Sequence, residues 1–164
     1  MKTKLFLAIT LIIGSMVSLN GFGYPKDNTA KAIINAPIAS PSDNVFERYN
    51  ALQNALANDD APSAQKAAEA LATALSDIPG SAAATKEAIA IGKTKDIVAQ
   101  RKILASLSTA VINLLKAHKP QNVMPYIHYC PMKKAYWMSN SKAIRNPYYG
   151  KQMLSCGETT GMIM

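Results

Sequence analysis

The stretch from residue 96 to residue 118 reads DIVAQRKILASLSTAVINLLKAH and decides the fold prediction. Its apolar side chains recur at helical spacing along one side, at Ile97, Leu104, Leu107, Val111 and Leu114. Pro120 ends the pattern, because proline has no backbone N–H to continue a helix. A helix with one apolar stripe cannot bury that stripe alone, so this segment predicts partner helices.

Three shorter segments upstream show the same kind of stripe. The first begins after a cap at Ser42 or Asp43, with apolar residues at Val45, Tyr49, Leu52 and Leu56, and ends at residues 58–60. The second runs from about Pro62 to about Ile78, and the third covers residues 83–91. We therefore predict an all-α fold, an antiparallel bundle of about four helices over residues 43–119.

The composition changes after Pro120. Residues 120–164 contain both cysteines, the only tryptophan, five tyrosines and six methionines, with turn signals at Asn146-Pro147 and Gly157. Residues 126–130, YIHYC, can form a short strand with Tyr126, His128 and Cys130 on one face. We expect a small, irregular C-terminal lobe rich in Cys, Met and aromatic residues, so that residues 43–164 make a single domain.

The N-terminal residues predict export. Lys2 and Lys4 precede an uncharged apolar stretch from Leu5 to Val17, and small residues follow up to Gly23. This order is typical of a signal peptide over residues 1–23 and is too short for a comfortable membrane span. Residues 24–42, rich in Pro, Ala, Asn and Ser, then read as a flexible tether. We expect a periplasmic protein with no stable membrane insertion after cleavage.

The charge balance is basic. The chain carries a net charge of +8, which becomes +6 when Lys2 and Lys4 are removed with the signal peptide. Residues 121–164 hold five cations, Lys133, Lys134, Lys142, Arg145 and Lys151, against the single acid Glu158. Because an exported protein rarely meets nucleic acid, we interpret these cations as a solvated face and expect no nucleic-acid partner.

Five residues of the lobe are candidate ligands for a soft metal ion: His128, Cys130, Met132, Met153 and Cys156. Thiolate and thioether sulfur favours Cu(I) or Ag(I), whereas Ca²⁺ and Mg²⁺ prefer carboxylates, which the lobe lacks. A strand would let His128 and Cys130, two residues apart, converge on one ion. The turn at Asn146-Pro147 would bring the second pair of sulfurs to them. We predict Cu(I) as the bound ion.

Each candidate ligand also has a structural interpretation. Cys130 and Cys156 can form a disulfide that closes a loop of about 27 residues, worth on the order of 3 kcal/mol. Met132 and Met153 can fill gaps in a core, and His128 can serve only as a hydrogen-bonding residue. No nucleophile–base pair with an orienting acid, no Cys-x-x-Cys and no phosphate loop is evident, so we do not expect an enzyme.

Four segments of the tail, read in combination, resemble a known family. They are YCPM at residues 129–132, AYWMS at 135–139, IRNPYYG at 144–150 and MLSCG at 153–157. The chain is similar over about residues 42–158 to the exported bacterial family catalogued as domain of unknown function 3347. By that pattern Cys130, Met132, Met153 and Cys156 match motif positions, whereas His128 is a candidate by its spacing alone.

The resemblance implies a link to copper or silver. Members of the family occur as small periplasmic proteins and as an extra domain on periplasmic adaptor subunits of copper/silver-type efflux pumps. The Cys-Pro-Met segment is also similar to one in short heavy-metal-binding modules. This chain departs from the family in the compact segment between Met132 and Ala135, where relatives carry a longer Gly/Asn-rich insertion.

These observations lead to two hypotheses of different kinds. In the first, the protein binds Cu(I) or Ag(I) in the periplasm and buffers it or passes it to an efflux-system component. In the second, a disulfide-stapled domain binds no metal and docks on another periplasmic protein through its basic, aromatic lobe. The second hypothesis predicts that Cys130→Ser destabilises the fold while metal has no effect, and an exposed aromatic patch near Trp137 would support it.

Overall fold

The computed structural model describes residues 39–164. Its first part is helical, and each of the four helices packs on its neighbour in sequence. They are α1 (Pro41–Ala57), α2 (Ala61–Leu75), α3 (Ala82–Gly92) and α4 (Ile97–Ala117). The four predicted helices are therefore confirmed. The predicted signal peptide and most of the predicted tether lie outside the described residues.

Helix ends differ from prediction by a few residues. Ser40, rather than Ser42 or Asp43, caps α1, and Asp43 completes a reciprocal capping box by accepting the Ser40 N–H. Helix α2 ends at Leu75 rather than at Ile78. Pro79 disfavours helical geometry at Ile78, the residue that precedes it. Ile78 nevertheless stays in the core, with 4 % of its surface exposed.

The prediction of an all-α fold is wrong. The C-terminal region forms a three-stranded antiparallel sheet of β1 (Tyr126–Cys130), β2 (Ala135–Ser139) and β3 (Glu158–Met162), in the order β2-β1-β3. The sequence pattern identified β1 at its correct position, but β2 and β3 were assigned to an irregular lobe. The structure therefore combines helices with a sheet.

The sheet packs where a closed bundle would bring α1 and α4 together. Strand β2 lies against both α4 and α1, and these two helices contact each other less than they contact their sequence neighbours. The helices and the sheet share one apolar core, which includes Leu71 and Trp137. The apolar stripes of α1 and α4 are thus covered partly by strands.

Two polar clusters join the C-terminal region to the helices. Asp43, 2 % exposed, accepts hydrogen bonds from the backbone N–H groups of Gln121 and Asn122 at 2.9 and 3.0 Å. Arg101 donates to Pro147 O at 3.0 Å and to Leu56 O at 2.7 Å, and it pairs with Asp59 at 2.5 Å. Both clusters connect α1 with segments that follow α4, so the lobe is tied to both ends of α1.

Two further features describe the helical part. Among the helices of residues 39–164, none has both the length and the apolar character needed to cross a bilayer.

Tyr49 lies at the boundary with the sheet, where its hydroxyl contacts Ser108 Oγ at 2.6 Å and accepts the Met138 N–H at 3.3 Å. Burial raises the pKa of Tyr49 to about 12, so the hydroxyl stays protonated and available as a donor.

Candidate metal site

The candidate site lies on one face of the sheet, beneath the segment that connects β2 to β3. Residues two apart on a strand share a face, so His128 and Cys130 of β1 point to the same side, and both are fully buried. The connecting segment covers that face, because Asn146 and Lys142 hydrogen-bond to side chains of β1 and β3. The predicted proximity of His128 and Cys130 is therefore present on β1.

Cys130 lies at the end of β1 in a shell of hydrogen-bond donors. The side-chain amide of Asn146 donates to its sulfur at 3.1 Å, and the backbone N–H of Lys133 does so at 3.4 Å. None of the Cys130 surface is exposed. These two contacts fix the position of the Cys130 sulfur inside the lobe.

Cys156 approaches Cys130 from the connecting segment. The same Asn146 amide donates to the Cys156 carbonyl at 2.7 Å, and the Cys156 N–H donates to Met153 O at 3.0 Å. Burial raises the pKa of the Cys156 thiol, and the adjacent Cys130, within hydrogen-bonding reach, raises it further. Both cysteines are free thiols in the structure, and Cys156 is half-buried.

Gly157 explains how Cys156 comes so close to the sheet. Its φ of +140° is a conformation that side chains rarely permit. A Cβ at this position would lie 2.6 Å from Trp137 Cη2 and 2.9 Å from Tyr129 O. Glycine therefore lets the backbone after Cys156 lie directly on the indole ring, which holds the thiol next to β1.

His128 has no free ring nitrogen. Its Nδ1 lies 3.0 Å from Thr159 Oγ1 and its Nε2 lies 2.9 Å from Ser139 Oγ, so that neighbouring strands hold both ends of the ring. The ring also packs against Trp137, with the centroids 5.0 Å apart. Burial lowers the pKa of His128 and favours the neutral imidazole. Coordination would break one of these bonds, so the geometry favours the structural interpretation of this residue.

The two methionines among the predicted ligands lie in different environments. Met132 is on the turn between β1 and β2, with 63 % of its surface exposed. Met153 is half-buried and follows the short 3-10 helix Gly150–Gln152. Both belong to segments that carry a cysteine, and the Asn146 amide joins those segments by its bonds to the Cys130 sulfur and the Cys156 carbonyl.

The donor set fits a soft ion. Across residues 39–164, no group of three or more His, Cys, Asp or Glu side chains is placed to hold a metal. A pair of thiols supplies the two sulfur ligands that Cu(I) or Ag(I) accepts, whereas structural zinc takes four ligands. The nearby surface is basic, since a cleft of about 400 Å³ between α4 and the lobe is lined by Lys102, Lys133, Tyr149 and Gln152, among others.

The aromatic surface differs from that predicted for a docking domain. Trp137 is fully buried, and its ring lies edge-on to Tyr148 at a centroid distance of 6.1 Å. Tyr148 and Trp137 therefore belong to the lobe core. Arg145 donates to Asn58 Oδ1 at 2.5 Å, so its guanidinium group connects the lobe to the end of α1. Of the aromatic residues on β2, Tyr136 is the exposed one, at 45 %.

Asn146 and Gly157 are the site residues that sequence reasoning missed as functional groups. Both were interpreted only as turn signals. Pro147 after Asn146 and Gly157 after Cys156 do indicate turns. Neither residue type indicates that the Asn146 amide bridges the two cysteines. The sequence signal that could have found them is their position: Asn146 lies just before the aromatic pair Tyr148-Tyr149, and Gly157 directly follows Cys156.

A comparison with family models identifies the helical region. The model described as "Protein of unknown function (DUF3347)" matches residues 45–123, and over that region the chain belongs to this family. The match covers all four helices from Val45 onward and ends before β1, so both cysteines lie beyond it. No curated protein and no solved structure matches the chain significantly.

Proposed function

We propose that this protein binds one monovalent soft metal ion, Cu(I) or Ag(I), between Cys130 and Cys156. The observation that carries the proposal is the proximity of two free thiols: one buried amide, that of Asn146, donates to the Cys130 sulfur at 3.1 Å and to the Cys156 carbonyl at 2.7 Å. Cys156, half-buried, is the ligand that solvent reaches first, and the fully buried Cys130 completes the site. Met132 and Met153 are auxiliary thioether ligands in this proposal.

The biological setting is part of the same proposal. A signal peptide over residues 1–23 would place the protein in the periplasm, where it would buffer the ion or deliver it to an efflux component without enzymatic chemistry. The export pattern of the sequence and the sulfur chemistry of the site support this setting. The basic cleft beside Lys133 would give an acidic partner a place to dock close to the site.

Binding is expected to depend on pH. A thiol must lose its proton to coordinate a metal, so protons compete with the ion. Because the pKa of Cys156 is raised, this competition persists at neutral pH, and the affinity for Cu(I) rises as the pH rises toward that pKa. A measured affinity that does not change between pH 6 and pH 8 would contradict thiolate coordination by Cys156.

The decisive experiment is anaerobic competition for Cu(I) against a chromogenic chelator. We expect a one-to-one complex, and Cys130→Ser and Cys156→Ser should each weaken it by more than about 100-fold, since loss of a direct ligand exceeds the effect of an outer-shell change. Met132→Leu and Met153→Leu should have smaller effects, and His128→Gln should have none beyond its effect on stability. Unchanged affinity in the Cys130→Ser/Cys156→Ser double variant would refute the site.

The same proximity of the thiols favours a second candidate, a disulfide-stapled interaction domain. Oxidation would close a loop of about 27 residues and add about 3 kcal/mol to the free energy of unfolding. Intact mass and thiol titration of the protein purified from its native compartment separate the two candidates. Two free thiols with tight Cu(I) binding support the metal site. A complete disulfide, with no Cu(I) uptake after reduction, supports the staple.

A further inference from the structure

Asn146 is a fully buried polar residue with an unusual set of partners. Its Nδ2 donates both to Cys130 Sγ, at 3.1 Å, and to the Cys156 carbonyl, at 2.7 Å. Its Oδ1 accepts the Tyr148 N–H at 2.8 Å, and its own N–H donates to Leu154 O at 2.8 Å. One side chain thus contacts the strand that carries the first thiol and the segment that carries the second.

We propose that Asn146 is the positioning residue of the thiol pair. Its amide fixes the Cys130 sulfur relative to the backbone of Cys156, so that the two thiols are arranged for a two-sulfur ligand before any ion arrives. The inference deepens the proposed Cu(I)/Ag(I) site and rests on it. Preorganisation of this kind raises affinity because fewer groups must be ordered on binding.

The chemistry of the amide distinguishes it from its closest substitute. Asparagine offers two N–H donors on one nitrogen, and both are used here. Aspartate has the same shape but only acceptors, so it would face the Cys130 sulfur and the Cys156 carbonyl with lone pairs. Asn146→Asp therefore removes both bridging bonds, while an oxygen remains for the Tyr148 N–H.

Tyr148 provides a matched control in the same segment. Its hydroxyl donates to Tyr136 O and lies 3.5 Å from Ser108 Oγ, so it anchors the segment to β2 and α4. Tyr148→Phe loses these contacts and leaves the Asn146 amide unchanged. A merely structural role for Asn146 predicts that the two variants behave alike once their stabilities are equal.

The test measures the thiol pair with and without metal. In the first assay, reduced protein is equilibrated with glutathione disulfide; one protein disulfide forms, and two molecules of reduced glutathione are released for each disulfide consumed. The equilibrium constant reports how well the thiols are placed, independently of Cu(I). In the second assay, Cu(I) affinity is measured by competition, and urea unfolding gives the stability of each variant.

We expect Asn146→Asp to lower the disulfide equilibrium constant at least tenfold and the Cu(I) affinity by about 10- to 100-fold, the range for outer-shell residues. Tyr148→Phe should lower stability and leave both constants within twofold. Asn146→Ser introduces a smaller side chain that cannot clash, and it should lower the disulfide equilibrium constant and the Cu(I) affinity in the same way. This variant provides the test if Asn146→Asp does not fold.

Two results would overturn the role of Asn146: folded Asn146→Asp or Asn146→Ser with unchanged constants, or equal losses in Tyr148→Phe. The two proposals also fail separately. Wild-type protein without Cu(I) affinity refutes the metal site, whereas the glutathione equilibrium still decides whether Asn146 positions the thiols.

Discussion

The interactions that hold the helices to one another differ from those that hold the lobe to the helices. Between helices, most buried side chains are apolar, such as Leu71 and Ala68 of α2, and the buried Gln100 adds a hydrogen bond to Ala61 O. Between helices and lobe, and within the lobe, buried polar groups hold specific partners, as Asp43 does for Asn122 and Asn146 does for Cys130. Apolar packing tolerates exchange of similar side chains, whereas a hydrogen-bonded position requires one kind of group.

This difference explains where chemistry is found in the molecule. A stripe of alanine and leucine specifies that helices pack, but it places no donor or acceptor next to a thiol. The lobe orients single atoms, because buried polar groups such as Asn146 and His128 have defined partners, whereas the buried Trp137 Nε1 has none within residues 39–164. The helical region is therefore the support, and the sheet with its covering segment is where a ligand can be held. Four predictions test this division, beginning with the largest expected effect.

Removal of a core side chain from the helices should cost the most stability and leave the lobe chemistry intact. Leu71 is fully buried on α2, a helix that packs only against other helices. Leu71→Ala should lower the free energy of unfolding by about 2–5 kcal/mol. Urea unfolding measures this loss, and exposed Val98→Ala should change it by less than about 0.5 kcal/mol. A change in the thiol–glutathione equilibrium of folded Leu71→Ala would contradict the division.

Alanine substitutions at three glycines distinguish the cost of backbone strain from the cost of a steric clash. Gly150, at φ +57°, lies where a Cβ would overlap Asp59 Oδ1 and Arg101 Nη2, so Gly150→Ala should cost about 2–4 kcal/mol through strain and loss of that ion pair. Gly80, at φ +81° in open space, should show strain alone, about 1–2 kcal/mol. Gly161 has neither problem, and Gly161→Ala should change stability by less than about 0.5 kcal/mol. Equal losses of unfolding free energy for all three variants, measured by thermal or urea unfolding, would contradict a stabilising role of the Asp59–Arg101 ion pair.

Asp43 should make the connection between α1 and the lobe sensitive to acid. Burial alone would raise the pKa of Asp43, but hydrogen bonds from Asn122 and Ser40 outweigh it and hold the pKa well below its ordinary value of 3.8. The stabilisation is complete above pH 3.8 and is lost as the pH falls from there toward the folded-state pKa. Asp43→Asn should cost about 1.5–3 kcal/mol at neutral pH.

The control for Asp43 is Asp60, which caps α2 from an exposed position. Asp60→Asn should be nearly neutral, because asparagine caps helices as well as aspartate does. Stability measured by urea unfolding between pH 7 and pH 2 should fall less steeply below pH 4 for Asp43→Asn than for wild type. Parallel curves for the two proteins would show that Asp43 is not the acid-sensitive connection.

His128 should contribute the smallest effect. Because burial lowers its pKa, the unfolded chain takes up a proton more readily than the folded protein does. Stability is therefore full above the ordinary pKa of 6.5 and declines as the pH falls below it. His128→Gln should flatten the stability curve between pH 7 and pH 5, as measured by urea unfolding. An unchanged slope would mean that the imidazole is not kept neutral between Thr159 and Ser139.

The sequence predicted the helices because their signals are local. Leucines three and four residues apart, prolines near helix ends and the acid at Asp96 each act within one or two turns. Strand β2, AYWMS, lacks alternation because Met138 is buried against the helices on the face opposite Trp137, which is also buried. Strand β3, ETTGM, is mostly exposed and is held by backbone pairing, so it has no apolar pattern to detect.

The candidate site was predictable in part. The sequence predicted that the sulfur residues of the lobe lie close together, and the structure brings the Cys130 sulfur and the Cys156 carbonyl onto one amide. The connection between them depends on Asn146, which lies 16 residues from Cys130 and 10 from Cys156. Such a bond depends on the sheet and its covering segment being formed, and no local pattern encodes it. The same is true of His128, whose two partners come from different strands.

The order of the strands has a consequence for how the chain matures. Strand β1 lies in the middle of the sheet, and its second neighbour, β3, follows both cysteines along the chain. A growing chain can form the β1–β2 hairpin early, but Thr159 reaches His128 only after Cys156 has been synthesised. Until β3 pairs with β1, the Cys130 thiol lies beside an unpaired strand edge, open to oxidants and to thiols of other molecules. The rate at which residues 158–162 pair with β1 therefore determines what fraction of newly made molecules keeps Cys130 and Cys156 available for each other.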